Sequence, residues 1–272
     1  MRPLIAPSVH HYFFAGGLDT GAIILDELCA PVIALDRYVE LLDDTMILQQ
    51  CEIKELLESI LQKLQLHRHP TISLYSTFLQ PTDDMHNYPY LTYDNVLVWK
   101  VLRILSHWFD RPELSTQAEN VKAAILQNHV VSYHGKSVFA WSVDLEGHWD
   151  IYDEPPGSLQ LLPFYGFCDF SDPIWTATIS LIRDCSYELS FADHKIAEIG
   201  CKHAAHPWIL SICNSLLSGH MPSAIVHLKN TVMDNGIACE SVDEDTGDCT
   251  SGAAFATCAG FLSFSLLTST SV

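Results

Sequence analysis

The sequence predicts an all-α protein of about eight helices arranged as an α/α barrel or toroid. Apolar residues recur at helical spacing along most of the 272 residues. The helical stretches are joined by two kinds of loop, some short and others long and rich in carboxylates, aromatics, His and Pro, and long ordered loops of that composition usually carry function. No exact short repeat runs through the chain, which sets it apart from an ordinary solenoid.

The first helix is expected over 19–42, with Pro31 kinking it. The second starts near Asp44 and stops before Pro70. Ile53, Leu56, Leu57, Ile60, Leu61 and Leu64 form its apolar face, with Glu52, Lys54, Glu55, Glu58 and Lys63 elsewhere. Further helices are expected over 93–109, 113–131, 173–185, 207–217, 222–233 and 252–267, and a short strand over 138–143. The long loops are 75–90, 144–156, 188–206 and 234–250.

Hydrophobic residues make up 48% of the chain and charged residues only 17%, enough apolar material for a sizeable core and too little charge for disorder. The net charge of −19 repels nucleic acid and anionic lipid but not a neutral sugar. The nine cysteines show no C-x-x-C pair and are odd in number, which argues against a disulfide framework or structural zinc and for buried thiols. The Met1 end lacks a charged segment followed by a long apolar one, and no apolar run reaches spanning length, so a soluble cytoplasmic protein is expected.

Four segments could carry chemistry. Tyr75-Ser-Thr-Phe-Leu-Gln-Pro-Thr-Asp-Asp84 places two carboxylates after a proline. A carboxyl beside apolar or like-charged neighbours keeps its proton to higher pH and can serve as a general acid; a loop-stabilising cap is the competing role. In the acidic stretch 234–248 the spacing fails the EF-hand pattern, because Gly247 is misplaced and the terminal Glu is missing. Glu240, in the apolar context Gly-Ile-Ala-Cys-Glu-Ser, is the carboxylate there that points inward. The stretch 144–167 interleaves carboxylates with aromatics, a composition that meets both the hydroxyl edges and the C–H faces of a sugar, or that simply builds a core. In Gly200-Cys-Lys-His-Ala-Ala-His206-Pro-Trp208, His203 and His206 stand three apart, as metal ligands could, but no H-E-x-x-H accompanies them, and His203 is preferred as a hydrogen-bonding residue. No Walker A, G-x-G-x-x-G or G-x-S-x-G motif is present.

In this order the segments resemble glycoside hydrolase family 125. Leu25-Asp-Glu-Leu-Cys-Ala-Pro31 is similar to its V-D-S-L-C-Y-P, and Phe78-Leu-Gln-Pro-Thr-Asp-Asp84 to its F-R-P-S-D-D. Val143-Asp through Asp153-Glu154, then Ser158-Leu and Pro163-Phe-Tyr-Gly166, is similar to V-D-G…D-D-P-N-x-P-S-L-L…P-Y-L-G. Gly200-Cys-Lys-His203 is similar to G-S-x-H, and Cys239-Glu-Ser241 to H-E-S. The resemblance implies an (α/α)6 barrel over 18–268, after an irregular 1–17 segment, that releases terminal α-1,6-linked mannose with inversion and needs no metal or other cofactor. It implies Asp84 as general acid and Glu240 as general base, with Asp26, Asp83, Asp153, Glu154 and His203 holding the sugar. Inversion of this kind wants the two carboxyls about 6.5–9.5 Å apart.

The sequence departs from the family pattern at Gln80 for Arg, Glu154 for Asp and Cys239 for His. The family's leading W-L-R-D-S segment has no counterpart before residue 18, and eight helices stand against twelve in a full barrel. The expectation is an incomplete, N-terminally truncated toroid that associates through its open face and is inactive alone if the missing part is essential. Two other readings remain. A non-catalytic sugar-binding or helical scaffold module would bind without turnover, and an α/α-barrel enzyme for another sugar would hydrolyse a non-mannoside instead.

Overall fold

A computed structural model describes residues 23–269. The chain is mostly helical, with eight α-helices among the described residues. They fall into two compact units, the first up to Gln127 and the second from Asn128. The irregular segment expected over 1–17 lies outside the described residues.

The first unit is helical. Helix α1 (Leu25–Leu42) buries Leu25, Leu28, Cys29, Val32 and Leu35, a stripe at three- and four-residue spacing, and continues through Pro31. It ends at Asp43 in the left-handed conformation, a position that Asp tolerates better than most residues. A 3-10 turn, Thr45–Gln49, leads into α2 (Cys51–Leu66), which buries Leu57, Ile60 and Leu64. Helix α3 (Thr92–Phe109) packs against α1 and buries every residue from Thr92 to Trp99, so it forms the centre of the unit. Asn95 on this helix clamps the preceding loop. Its carboxamide accepts from Tyr75 N at 2.8 Å and donates to Tyr75 O at 3.0 Å and Leu91 O at 2.8 Å. Helix α4 (Pro112–Asn128) follows.

The second unit opens with a β-hairpin, β1 (Val130–Tyr133) and β2 (Lys136–Phe139), where the sequence reading expects the helix to run on to 131. The reason is local. His134 and Gly135 both take positive φ, 47° and 76°, as a two-residue hairpin turn requires. The expected strand 138–143 is divided between β2 and β3 (Ser142–Val143), which pairs antiparallel with β4 (Trp149–Asp150). Helix α5 (Pro173–Ile182) packs on β2. Its start is set by Asp172, which accepts from Ile174 N at 2.8 Å and Trp175 N at 3.0 Å, with Pro173 at the first helical position. Helix α6 (Ile209–Leu217) is buried throughout and packs against both α7 (Met221–Asn230) and α8 (Ala256–Ser269). The strands β5 (Ser241–Val242) and β6 (Cys249–Ser251) pair antiparallel between α7 and α8 in sequence. No described helix is long and apolar enough to cross a membrane, and all nine cysteines are free thiols.

Candidate active site

In the first unit the carboxylates of α1 and the Thr-Asp-Asp loop meet. The loop is docked on the start of α1, where Leu25 N donates to Thr77 Oγ1 at 3.1 Å and Phe78 N to Ile23 O at 3.0 Å. It then turns sharply, with Asp83 N donating to Gln80 O at 2.8 Å, Gln80 N to Asp84 O at 3.0 Å, and Asp83 at φ 62°. Asp26, in the first turn of α1, has a buried Oδ1 with no hydrogen-bond partner among the described residues. Burial, with the negative charges of Glu27 and Asp83, pushes its carboxyl up to about 6. Asp83 is exposed and Asp84 half-buried beside it. Asp94, on the first turn of α3, is a fully buried carboxylate that the sequence reading missed. Cys29 registers both it and Asp26, for burial and these two charges hold the thiol far above its ordinary range. The signal for Asp94 was a charged residue inside the most apolar helix face.

In the second unit Glu240 is the centre. It enters β5 with its N–H on Ser251 O and Gly252 O, both at 3.2 Å, while Ile209 N donates to its carbonyl at 3.1 Å. Ser251 Oγ donates to Glu240 Oε2 at 2.7 Å, and Ser241 Oγ stands 2.5 Å from that same hydroxyl. The other oxygen, Oε1, faces His203 Nε2 at 3.9 Å, the imidazole being 43% exposed and the carboxylate 14%. Neither Ser251 nor Gly252 was singled out from the sequence, although a Ser-Gly pair ending a strand is a signal for close approach. Gly252 has φ 57°, and a Cβ there would lie 2.4 Å from Glu240 Cβ and 3.2 Å from Oε2. Gly252→Ala is therefore expected to cost about 1–3 kcal/mol in urea unfolding, from backbone strain and contact with the Glu240 side chain.

The histidine loop is closed by its own backbone. Cys201 N donates to Ala204 O at 3.1 Å, Trp208 N to Ile199 O at 3.1 Å, and Trp208 Nε1 to Ala204 O at 2.9 Å. Gly200 is required in it, because a Cβ would lie 2.2 Å from Ala205 O. This turn sends the two histidines to different partners. His203 faces Glu240, whereas His206 Nδ1 bonds Glu244 Oε2 at 2.7 Å. The ligand-capable atoms of His206, Asp243 and Glu244 lie within 4.8 Å of one another, so among the described residues these three, rather than His203 with His206, are the ones grouped closely enough to hold a cation.

Asp153 and Glu154 are both fully buried. Asp153 accepts from Ser158 Oγ and from Leu159 N, each at 2.7 Å, one bond on each carboxylate oxygen. Burial raises its carboxyl to about 7, although Leu159 N, Ser158 and Arg183 favour the charged form. An acid with a raised pKa in the fold stabilises most below its unfolded value, near 3.8, and loses that contribution as pH climbs through about 7. Asp153→Asn, which removes the charge, keeps an acceptor for Leu159 N and can pair with Ser158 only by donating to its Oγ, is expected to flatten that loss between pH 5 and pH 8. Asp153→Ala should cost about 1–3 kcal/mol throughout, because Leu159 N and Ser158 Oγ lose their partner. Denaturant unfolding at the two pH values checks both. Glu154 Oε2 accepts from Tyr152 OH at 3.3 Å, and the same hydroxyl accepts from Lys202 N at 3.2 Å, linking this loop to the histidine loop.

Each unit carries carboxylates in loops that also hold aromatics, and in the second unit one of them has a histidine neighbour and a serine holding it. It can exchange protons and bond hydroxyls. A family profile described as metal-independent alpha-mannosidase (GH125) matches residues 63–261, across both units. Among solved structures, a metal-independent alpha-mannosidase from Streptococcus pneumoniae, in a non-productive complex with alpha-1,6-mannobiose, superposes with a TM-score of 0.79 at 16% identity, covering 92% of this chain and 69% of that one. A bacterial glucoamylase complexed with acarbose gives 0.62 at 15% identity, covering 92% and 41%, and a D-mannose isomerase gives 0.53 at 12%, covering 90% and 71%. No curated protein sequence matches the chain.

Proposed function

Because the chain belongs to the metal-independent α-mannosidase family GH125 and has its (α/α)6 toroid fold, we propose that this glycoside hydrolase of mannosides releases terminal α-1,6-linked mannose with inversion. Asp84 is the acid that protonates the leaving oxygen. Glu240 is the base that draws a proton from the attacking water. Inversion follows from a single displacement in which the new bond forms on the face opposite the one that breaks.

The observation that supports this best is the setting of Glu240. Ser251 fixes one oxygen at 2.7 Å, leaving the other toward His203 at 3.9 Å, too long for a direct hydrogen bond and open to a bridging water. A base held at one oxygen and free at the other can orient a water and take its proton. Asp26, Asp83 and His203 are assigned to the sugar hydroxyls. Glu154 and Asp153 are assigned to the same sugar through the loop they brace, Asp153 by holding its turn and Glu154 through the Tyr152 hydroxyl. The domain is read as 18–268.

The test is to incubate the chain with α-1,6-mannobiose and follow the anomeric protons by NMR. Release of β-mannose as the first product supports the reading, and α-mannose as the first product refutes inversion. Binding without any release would favour a sugar-binding module instead.

A further inference from the structure

We propose that the second unit carries a divalent-cation site of its own, formed by His206, Asp243 and Glu244, which takes a zinc-class ion and ties the histidine loop to the turn between β5 and β6. None of these three residues is assigned to the sugar or to the proton transfers, so the ion braces the fold and takes no part in the cleavage.

The two loops that supply the donors are set by their backbone. Val242 N donates to Pro207 O and Ile196 N to Glu244 O, each at 2.9 Å, which stitches the loops together on either side of the group. The turn is closed within itself, with Asp243 N donating to Asp248 O and Gly247 N to Asp243 O, each at 2.9 Å. A Cβ at Gly247 would lie 2.2 Å from Asn230 O, so the turn sits hard against the end of α7. The side chains are held as well. The His206 ring stacks on Phe191, with centroids 6.4 Å apart and planes 20° from parallel, and its Nδ1 is 2.7 Å from Glu244 Oε2. Asp243 Oδ1 accepts from Thr246 N at 2.8 Å and Asp245 N at 3.1 Å. Those two N–H groups first, then the Thr246 hydroxyl and the charge of His206, outweigh desolvation and hold the Asp243 carboxyl below its ordinary range. It is therefore in the ionised form that a metal requires.

An imidazole among the donors separates this group from a run of surface acids and sets the ion class. One nitrogen and two carboxylate oxygens suit Zn²⁺ or Co²⁺, whereas Ca²⁺ and Mg²⁺ prefer oxygen alone. Bonds of about 2.0–2.2 Å to a tetrahedral ion put neighbouring donors about 3.3 Å apart. His206 and Glu244 are already inside that spacing, and the half-buried Asp243 side chain closes the rest by rotation. Three protein ligands leave the fourth position to water. The local charge asks for a cation. Asp243, Glu244, Asp245 and Asp248 crowd one turn, and among the described residues no Lys or Arg pairs with any of them. Their ion-pair partners are His206 on Glu244 and His194 on Asp245, the latter at 3.3 Å. A divalent ion supplies the positive charge that the turn otherwise lacks.

The test uses the full chain, stripped of metal and with its thiols reduced, titrated with Co²⁺ and followed by absorption. One ion per chain is expected, with the visible bands of nitrogen and oxygen ligation and no near-ultraviolet thiolate band. Zn²⁺ at about a hundred times its dissociation constant should raise Tm by roughly 5 °C. His206→Gln and, separately, Asp243→Asn should each lower the affinity by about a hundredfold or more, beyond what losing a partner outside the ligand set costs. Asp243→Asn keeps an acceptor for Thr246 N and Asp245 N, so it tests the ligand without undoing the turn. His194→Gln, on the same loop but outside the three, should leave binding in place. A chain that takes up no Co²⁺, one that shows the thiolate band, or binding that survives both ligand substitutions overturns the site and leaves His206 and Glu244 as a plain ion pair.

Discussion

Glu240→Gln is expected to lower kcat on an α-1,6-mannoside about a thousandfold, the usual size of a general-base contribution. The fold should tolerate the change, because the Gln side-chain oxygen can still accept from Ser251 Oγ, which donates to Glu240 at 2.7 Å. The melting temperature should then move by no more than about 1 kcal/mol of stability corresponds to. Asp84→Asn is expected to cost as much on a natural linkage, but to recover on an aryl mannoside whose leaving group is too acidic to need protonation. Glu240→Gln should stay slow on both substrates, since water must be activated in either case. Steady-state rates on the two substrates separate the roles, and full activity in both variants would end the assignment.

The second large effect is on stability and lies in the core of the second unit. Glu198 is fully buried and accepts from Ser211 Oγ at 2.7 Å, His227 Nδ1 at 2.8 Å, Ser215 Oγ at 2.9 Å and Arg183 Nη1 at 3.2 Å. Arg183 is also tied to Ala197 O at 3.0 Å and Gln160 Oε1 at 3.1 Å. Removing one member of such a pair leaves the other charge buried and unmatched, so Glu198→Ala is expected to cost about 3–5 kcal/mol. For a protein of this size that is a fall of roughly 10 °C in Tm. A compensating Glu198→Met with Arg183→Met should regain part of it, because the cost is the stranded charge rather than the lost attraction. Burial pushes the Glu198 carboxyl up, but Arg183, His227 and Ser211 together outweigh it and hold it below the ordinary range. A depressed carboxylate contributes its stability above the unfolded value of 4.5 and loses it as pH falls through the folded one, opposite in sign to Asp153. Thermal unfolding from pH 7 down to pH 3 checks the direction, and the acid-induced fall should be smaller in the double variant.

Helices were legible because their apolar spacing is strong, as in α1 and α2, and because Asp172-Pro173 spells out a helix start. The hairpin was not, because His134-Gly135 is a weaker turn signal than Asn-Gly and the helical pattern runs up to it. The carboxylates proposed for the site could be picked out by their company in the chain, and among them the charge of Asp83 adds, after burial and Glu27, to what raises the Asp26 carboxyl. What could not be read was everything set by pairing between distant residues. His203 and His206 look alike in sequence, but the backbone closure at Gly200 turns one toward Glu240 and the other toward Glu244. Ser251 and Gly252 matter only because β6 lies against Glu240. The Arg183–Glu198–His227 group spans three separate elements, and no local pattern joins them.

The free thiols carry a consequence for handling and for survival. Cys29, Cys201, Cys213, Cys239 and Cys258 are interior, and burial pushes those of Cys201, Cys213 and Cys239 up to about 12. In the native state these sulfurs are chemically dormant, since the reactive thiolate is suppressed. Unfolding exposes all of them together, and in air the exposed thiols can crosslink and block the return. Native packing is thus an antioxidant device, and melting without a reductant becomes a one-way passage whose recovery reports the redox state of the buffer as much as the energy of the fold.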